Sequence, residues 1–241
     1  MSGYLTKISG DIRRAAPEPA RGFAEALTAG PDIAVVAEIK RASPSQGEIA
    51  PAADVAETAR AYSAGGAAAM SVLCAERDFG GSLGDLTAAR RAAGLPALAK
   101  DFTVFTEQVA AQRLAGADAI LVILALVSDD EARRLLQAAE LMGMDALVEV
   151  HSAAEIDRAL ELEAQVVGVN ARDLDSLEVD RDRQLELIAS LPRTVVRVAE
   201  SGIGARADVE AAREAGADAV LVGTALMRRP QLLRELAGVP R

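Results

Sequence analysis

The chain has no tryptophan, two tyrosines, four phenylalanines, one cysteine and one histidine among its 241 residues. Each shortage excludes something. Aromatics at 2% leave few ring faces on which nucleic-acid bases could stack. Lys and Arg (26) are outnumbered by Asp and Glu (36), and a net charge of -10 repels phosphate backbones and anionic membrane surfaces. Neither nucleic acid nor a membrane is expected as a partner, and an anionic small molecule would need a locally basic site. Cys74 alone cannot form an internal disulfide, and one Cys with one His cannot make a zinc cluster, so no metal is expected. No apolar run approaches the length of a membrane span, and Met1-Ser2-Gly3-Tyr4 lacks the basic-then-apolar pattern of a signal peptide. The expectation is a soluble cytoplasmic protein. An acidic surface without an exposed aromatic patch favours a monomer.

Hydrophobic residues nevertheless make up 51% of the chain, so a sizeable core must be built from Ala, Val, Leu and Ile. One stretch organises the rest. Ile33-Ala34-Val35-Val36 reads as a buried strand, and Glu38 and Lys40 then break the apolar run. Strand side chains alternate faces, so these two point the same way. Ser43-Pro44-Ser45-Gln46-Gly47 cannot continue a strand and reads as a loop.

From Ile33 onward short apolar runs alternate with longer Ala-, Arg- and Glu-rich segments of helical period. Eight runs recur, at 33–39, 68–73, 97–99, 119–124, 146–150, 166–169, 195–199 and 219–222. Helical segments are predicted over 55–64, 83–93, 106–115, 129–142, 153–162, 182–190 and 207–215, with a last one over 231–237. Ser128-Asp129-Asp130-Glu131 and Ser152-Ala153-Ala154-Glu155 fit the capping box, and Gly65, Gly94, Gly116, Gly143 and Gly216 sit where helices should end. Ala115-Gly-Ala-Asp-Ala-Ile-Leu-Val122 returns as Ala215-Gly-Ala-Asp-Ala-Val-Leu-Val222, leading into the fourth and eighth runs, the ends of two four-strand halves. No linker divides the chain. Eight regular units in one unbroken domain imply a (β/α)8 TIM barrel over 31–241, with a short N-terminal helical extension over 1–30 broken near Pro17 and Pro19. The alternative, an open doubly wound sheet, fits eight equal units less well.

In such a barrel the site lies at the C-terminal ends of the strands. In order, those ends offer Glu38 and Lys40; Cys74 and the loop holding Phe79; Lys100 and Asp101; Glu149 and His151; Asn170 and Arg172; Glu200, Ser201 and Gly202; and Gly223 and Thr224. An ion pair sealing the barrel top would account for any one of these charges. Two lysines and three glutamates on a single rim suit proton transfer, since neighbours tune each pKa. Ser201-Gly202-Ile203-Gly204 and Gly223-Thr224 would let backbone N–H groups approach a phosphate. Gly202-Ile203-Gly204-Ala205-Arg206-Ala207 also fits the loose dinucleotide pattern, but it lies in the seventh unit of a barrel rather than in a Rossmann context. His151, two residues past Glu149 on the same strand face, reads as a supporting hydrogen-bonding residue rather than a catalytic one, and Cys74 as a packed barrel residue. Phe79, Phe102, Leu121, Ile123 and Leu174 could wall a pocket for a flat ring.

These residues are similar to a known family. Ala-Glu-Ile-Lys-Arg-Ala-Ser-Pro-Ser at 37–45, Lys-Asp-Phe at 100–102, Leu-Val-Glu-Val-His at 147–151, Gly-Val-Asn-Ala-Arg-Asp-Leu at 168–174, Ala-Glu-Ser-Gly-Ile at 199–203 and Leu-Val-Gly-Thr-Ala-Leu-Met at 221–227 occur in the family's order. The chain resembles indole-3-glycerol phosphate synthase, a (β/α)8 carboxy-lyase of tryptophan biosynthesis, over about residues 30–230. The resemblance implies closure of an indole ring, from 1-(2-carboxyphenylamino)-1-deoxyribulose 5-phosphate, with loss of carbon dioxide and water and no cofactor or metal. It makes Lys100 the general acid. Glu149 acts on the hydroxyl-bearing intermediate or positions Lys100. Lys40 pairs with anionic groups of the substrate and protonates the departing hydroxyl, and Glu38 takes the proton lost on aromatisation. Asn170, Glu200 and Ser201 orient the substrate. Ser43, Gly202, Gly223 and Thr224, with Lys40, hold the phosphate. Arg172 supports the carboxylate end or braces Glu149 and Glu200. Three features depart from the family pattern: Cys74-Ala75 stands where Thr-Glu is common, residue 99 is Ala rather than Arg, and the basic N-terminal extension is short. Two other readings compete. One is another phosphate-binding barrel such as phosphoribosylanthranilate isomerase, whose Cys and Asp pair Cys74 with Asp101 or Asp173 matches poorly. The other is a silent or engineered barrel that binds a sugar phosphate.

Overall fold

The computed structural model describes residues 18–240. Eight parallel strands close into a ring: β1 (Ala34–Ile39), β4 (Ala69–Leu73), β5 (Ala97–Lys100), β6 (Ala119–Ile123), β7 (Asp145–Val150), β8 (Val166–Asn170), β9 (Val196–Glu200) and β10 (Ala219–Val222). Closure is direct, because Val36 of β1 is in register with Ala69 of β4 on one side and Leu221 of β10 on the other. That removes the open-sheet alternative. The strands are buried on both faces, which is why they read as apolar runs rather than as alternating patterns. Two short strands, β2 (Ala42–Ser43) and β3 (Gly47–Glu48), pair antiparallel in the segment expected to be a plain loop. Gly47 closes this hairpin with φ +63°, a conformation that glycine adopts without a Cβ penalty.

Helices follow the strands as the periodicity predicts, including Val55–Gly65, Leu83–Ala93, Asp129–Leu141 and Arg181–Ser190. The Ser128 box is complete: Glu131 N donates to Ser128 Oγ (3.4 Å), and Ser128 N donates to Glu131 Oε2 (2.8 Å). The Ser152 box is only half made, because the Glu155 carboxylate accepts instead from His151 N (2.8 Å). Gly65 belongs to its helix, where an added Cβ would lie 2.8 Å from Leu233 Cδ2. Gly66 makes the left-handed exit in its place. The expected last helix is split into a 3₁₀ turn at Pro230–Leu232 and one turn of helix at Leu233–Leu236, with Pro230 opening the 3₁₀ turn.

Inside the ring, Val36, Ala69, Leu98, Leu121, Leu147, Val166, Val198 and Leu221 form one cluster. Its base is filled by Phe23 and Leu27 of the helix Phe23–Thr28. The remainder of the extension, residues 1–17, lies outside the described residues. Ala24 N donates to Asp145 Oδ2 (2.9 Å) and Arg21 N to Asp118 Oδ1 (2.8 Å), tying this helix to the strand starts. Asp118 is fully buried, binds Ala97 N (2.9 Å) and pairs with Arg90 (3.1 Å). Asp218, its counterpart in the repeated sequence, binds Arg197 through both backbone N–H (2.9 Å) and guanidinium (3.1 Å). The two sequence repeats thus make the same kind of aspartate–arginine clamp at the bottom of the barrel. Among the described residues, no helix is long and apolar enough to cross a membrane.

Candidate active site

Alternation along each strand turns Glu38, Lys100, Glu149, Asn170 and Glu200 inward at the C-terminal rim. Lys100 Nζ lies 2.7 Å from Glu149 Oε2 and 2.6 Å from Glu200 Oε2, one ammonium shared by two buried carboxylates. Asn170 Nδ2 donates to Glu149 Oε1 (3.0 Å), and His151 Nε2 stands 3.3 Å from the same oxygen. His151 also faces Glu155, with Nδ1 3.5 Å from Oε2. Across the mouth, Lys40 Nζ pairs with Glu38 Oε1 (2.8 Å). The Tyr62 hydroxyl donates to the Glu38 carbonyl (3.2 Å) from the helix behind β1.

The charges tune one another. Burial works against the Lys100 ammonium, but Glu149, Glu200 and Glu38 outweigh it and raise its pKa. Burial would likewise raise Glu149, yet Lys100 and His151 pull it below the usual carboxylate range. Glu200 is pushed up to about 7 by burial, Lys100 being shared with Glu149, whose charge adds to the rise. His151 is raised to about 9, since its two carboxylate neighbours overcome its burial. Such a set holds an ammonium charged across the neutral range beside a carboxyl group that changes its proton occupancy near neutrality. The Cys74 thiol, driven up to about 12 by burial and then by Asp101 and Asp85, has no use as a nucleophile.

The expected phosphate residues lie at one side of the mouth. A Cβ on Gly223 would overlap the Glu38 carboxylate and sit 2.9 Å from Lys40 Nζ, so the lysine reaches this corner only past a glycine. Thr224 opens the short helix Thr224–Arg228. Ser43 is buried, and its hydroxyl has no hydrogen-bond partner among the described residues. Ser201 and Gly202 both take left-handed backbone, with φ +68° and +73°.

Beyond the ends of β4 and β5, Phe79 and Phe102 stack obliquely with ring centres 6.3 Å apart, and Phe102 and Leu174 are exposed. Ile123 is in register with Glu149 and so lines the same layer. Leu121 is in register with Leu147, one layer lower, inside the packed interior. Arg172 turns away from the glutamates: its guanidinium donates to Leu177 O (2.7 Å) within its own loop, and the brace on Glu149 comes from Asn170 instead.

Sequence reasoning did not find several neighbours of the site. Arg41 makes a two-pronged contact with Asp85 (2.8 Å each) and reaches the Gly80 carbonyl (3.0 Å), joining the loops after β1 and β4. Gln184 is buried behind β8 and β9. A signal existed for it, because Gln184 shares a helix face with the buried Ile188 four residues on, where an apolar residue is the norm. Ser71, in register with Glu38, is fully buried with no partner for its hydroxyl among the described residues.

Among the described residues, no group of three His, Cys, Asp or Glu side chains is placed to hold a metal ion. The family model for indole-3-glycerol phosphate synthase matches residues 5–238. An indole-3-glycerol phosphate synthase of Mycolicibacterium vanbaalenii is 51% identical over 212 residues, spanning 88% of this chain and 77% of that protein. One of Rhodococcus opacus is 50% identical over 213 residues, spanning 88% and 79%. Among solved structures, the N-acetylmannosamine-6-phosphate 2-epimerase from Clostridium perfringens superposes with a TM-score of 0.64 over 90% of this chain and 96% of that one. At 16% identity this likeness speaks for the barrel alone. With half its residues identical to these relatives across most of its length, the chain belongs to the indole-3-glycerol phosphate synthase family.

Proposed function

We propose that the chain is an indole-3-glycerol phosphate synthase, a carboxy-lyase that closes the indole ring of 1-(2-carboxyphenylamino)-1-deoxyribulose 5-phosphate in tryptophan biosynthesis. The observation that carries the assignment of its machinery is the single ammonium of Lys100 held between Glu149 and Glu200. The substrate phosphate sits in the corner made by Lys40, Ser43, Gly202, Gly223 and Thr224. Its aryl ring lies toward Phe79, Phe102, Ile123 and Leu174. Lys100 donates a proton to the ketone oxygen as the ring carbon that bears the carboxylate attacks the carbonyl carbon. Carbon dioxide leaves, and the electron pair of its bond restores the aromatic ring. Glu149, fixed by Asn170 and His151, keeps Lys100 aligned for this step. Lys40 then donates a proton to the departing hydroxyl, while Glu38 removes the proton whose loss completes the indole. Two protons are donated and one is recovered, so each turnover draws one proton from solvent, matching the departure of the carboxylate as neutral carbon dioxide. Its acidic surface and single cysteine fit a monomeric cytoplasmic enzyme.

The test is direct. Purified protein mixed with the carboxyphenylamino-deoxyribulose phosphate should give indole fluorescence that rises with time. Tight binding of the substrate without product would favour a silent sugar-phosphate barrel.

A further inference from the structure

The Glu200-Ser201-Gly202 turn is unusual in having two successive residues in left-handed backbone, one of them not glycine. A side chain at such a φ costs energy unless its surroundings hold it there. What surrounds this turn is a pair of side chains from the helix Arg181–Ser190. Gln184 is 1% exposed. Its Nε2 donates to Val169 O (2.7 Å) and Glu200 O (2.6 Å), the carbonyls at the ends of β8 and β9. Its Oε1 accepts from Arg181 Nη1 (2.7 Å), and Arg181 Nη2 donates to Asp208 O (2.9 Å) on the next helix. The Arg181 stem packs flat on the turn, where a Cβ on Gly202 would lie 2.6 Å from Arg181 Cδ and 2.9 Å from Val179 Cγ1. The Gln184 amide therefore spends its Nε2 on the backbone that carries Glu200 and leads into Asn170, and its Oε1 on Arg181.

The geometry points to Arg181 and Gln184 as positioning residues that hold the Glu200-Ser201-Gly202 turn, setting the Glu200 carboxylate against Lys100 and aiming the Ser201 and Gly202 N–H groups at the substrate phosphate. The inference rests on the functional reading above for the identity of that substrate. Neither side chain touches the reacting atoms. Both act through the backbone, and small displacements there are enough to slow chemistry.

The experiment compares wild type with Gln184→Leu, Arg181→Leu and Arg181→Lys, using fluorescence turnover, inhibition by inorganic phosphate, and the pH profile. Gln184→Leu keeps the volume but removes both donors, and should lower kcat by about tenfold or more. It should also shift the pH limb that belongs to Glu200. Arg181→Leu should raise KM for the phosphorylated substrate and weaken phosphate inhibition in parallel, by about fivefold or more. Arg181→Lys keeps the stem on Gly202 without the fork and should fall between. Circular dichroism and unfolding midpoints keep fold and function apart. Variants that unfold at lower temperature yet retain kcat, KM and phosphate inhibition within twofold would reduce the pair to structural supports and overturn the proposal. Should Gln184→Leu fail to fold, the two Arg181 variants decide the matter alone. A wild type without turnover defeats the family reading of the site. In that case phosphate titration watched at the Ser201 and Gly202 amides still reads the clamp, and no binding there overturns it as well.

Discussion

The Glu200 carboxylate occupies the space that a side chain on Gly168 would fill. A Cβ built at Gly168 overlaps Glu200 Oε1 and comes within 3.1 Å of Leu147 Cδ1. The two residues stand on neighbouring strands, with Gly168 in register with Val198, two residues before Glu200. Gly168→Ala should therefore push the carboxylate off Lys100. Overpacking of this kind costs about 1–3 kcal/mol. Urea unfolding should report that loss, and kcat should fall with it, in contrast to an alanine placed at an exposed helical site.

Lys100→Met removes the shared cation and leaves Glu149 and Glu200 buried with no ammonium between them. Loss of the proton donor should reduce turnover by about a hundredfold or more. The fold should survive at a cost of about 3–5 kcal/mol, the usual penalty for stranding one side of a buried ion pair. That cost has a pH signature. Without Lys100 both carboxyls prefer the neutral form, so the variant should lose least stability at pH 5 and most at pH 8. Equal losses at the two pH values would count against this account.

His151 is the only histidine in the chain, so its ring resonances can be followed without ambiguity. They should titrate near 9 rather than at the ordinary 6.5. Because the folded value is the higher one, the ion pairs stabilise the protein fully below about 6.5, and that stabilisation is lost as pH rises through about 9. Glu155→Gln removes one of the two carboxylates and should move the titration downward. An unshifted titration in that variant would mean that Glu149 alone sets the value.

Glu200 runs in the opposite sense for function. If its anion is needed to align the substrate, turnover should climb as pH rises through about 7, and Glu200→Gln should abolish both the limb and most of the activity. Its contribution to stability has the sign of any raised acid. The folded state holds the proton longer than the unfolded one, so stability falls between about 4.5 and 7.

Asp118→Asn should separate stability from chemistry. The residue is fully buried among Arg90, Arg21 N and Ala97 N at the far end of the barrel from the rim. Weakening it should lower the unfolding midpoint, with Glu18 and the Pro19 carbonyl still held by Arg90 to limit the loss, while KM and kcat remain within twofold.

The ring and its charged rim were legible because of how parallel strands are built. Buried on both faces, they stand out as apolar runs, and the first charge after each run marks the end that faces the site. Glu38, Lys100, Glu149 and Glu200 all declare themselves this way. What stayed hidden depends on register or on groups that reach in from outside. The Gly168–Glu200 relation exists only once β8 and β9 are aligned. Gln184 and Arg181 lie on a helix, where one polar residue on a buried face does not say which backbone it will bind. The pairing within 42–48 escaped because Pro44 and Gly47 signal a turn but not the two-residue strands around it. The Arg172 contact stayed hidden because the chain after it folds back, bridging Arg172 to Val179 and bringing the Leu177 carbonyl to its guanidinium.

The repeated aspartate clamp divides the barrel into two halves of four strands, and the charges of the rim are divided unevenly between them. Lys40 and Lys100 come from the first half, and Glu149 and Glu200 from the second. Lys100 thus finds both of its contacting carboxylates across the seam. An isolated first half would carry an ammonium with neither contacting carboxylate, and an isolated second half would carry buried acids with no cation between them. Sealing the ring and switching on the reaction centre are accordingly a single event.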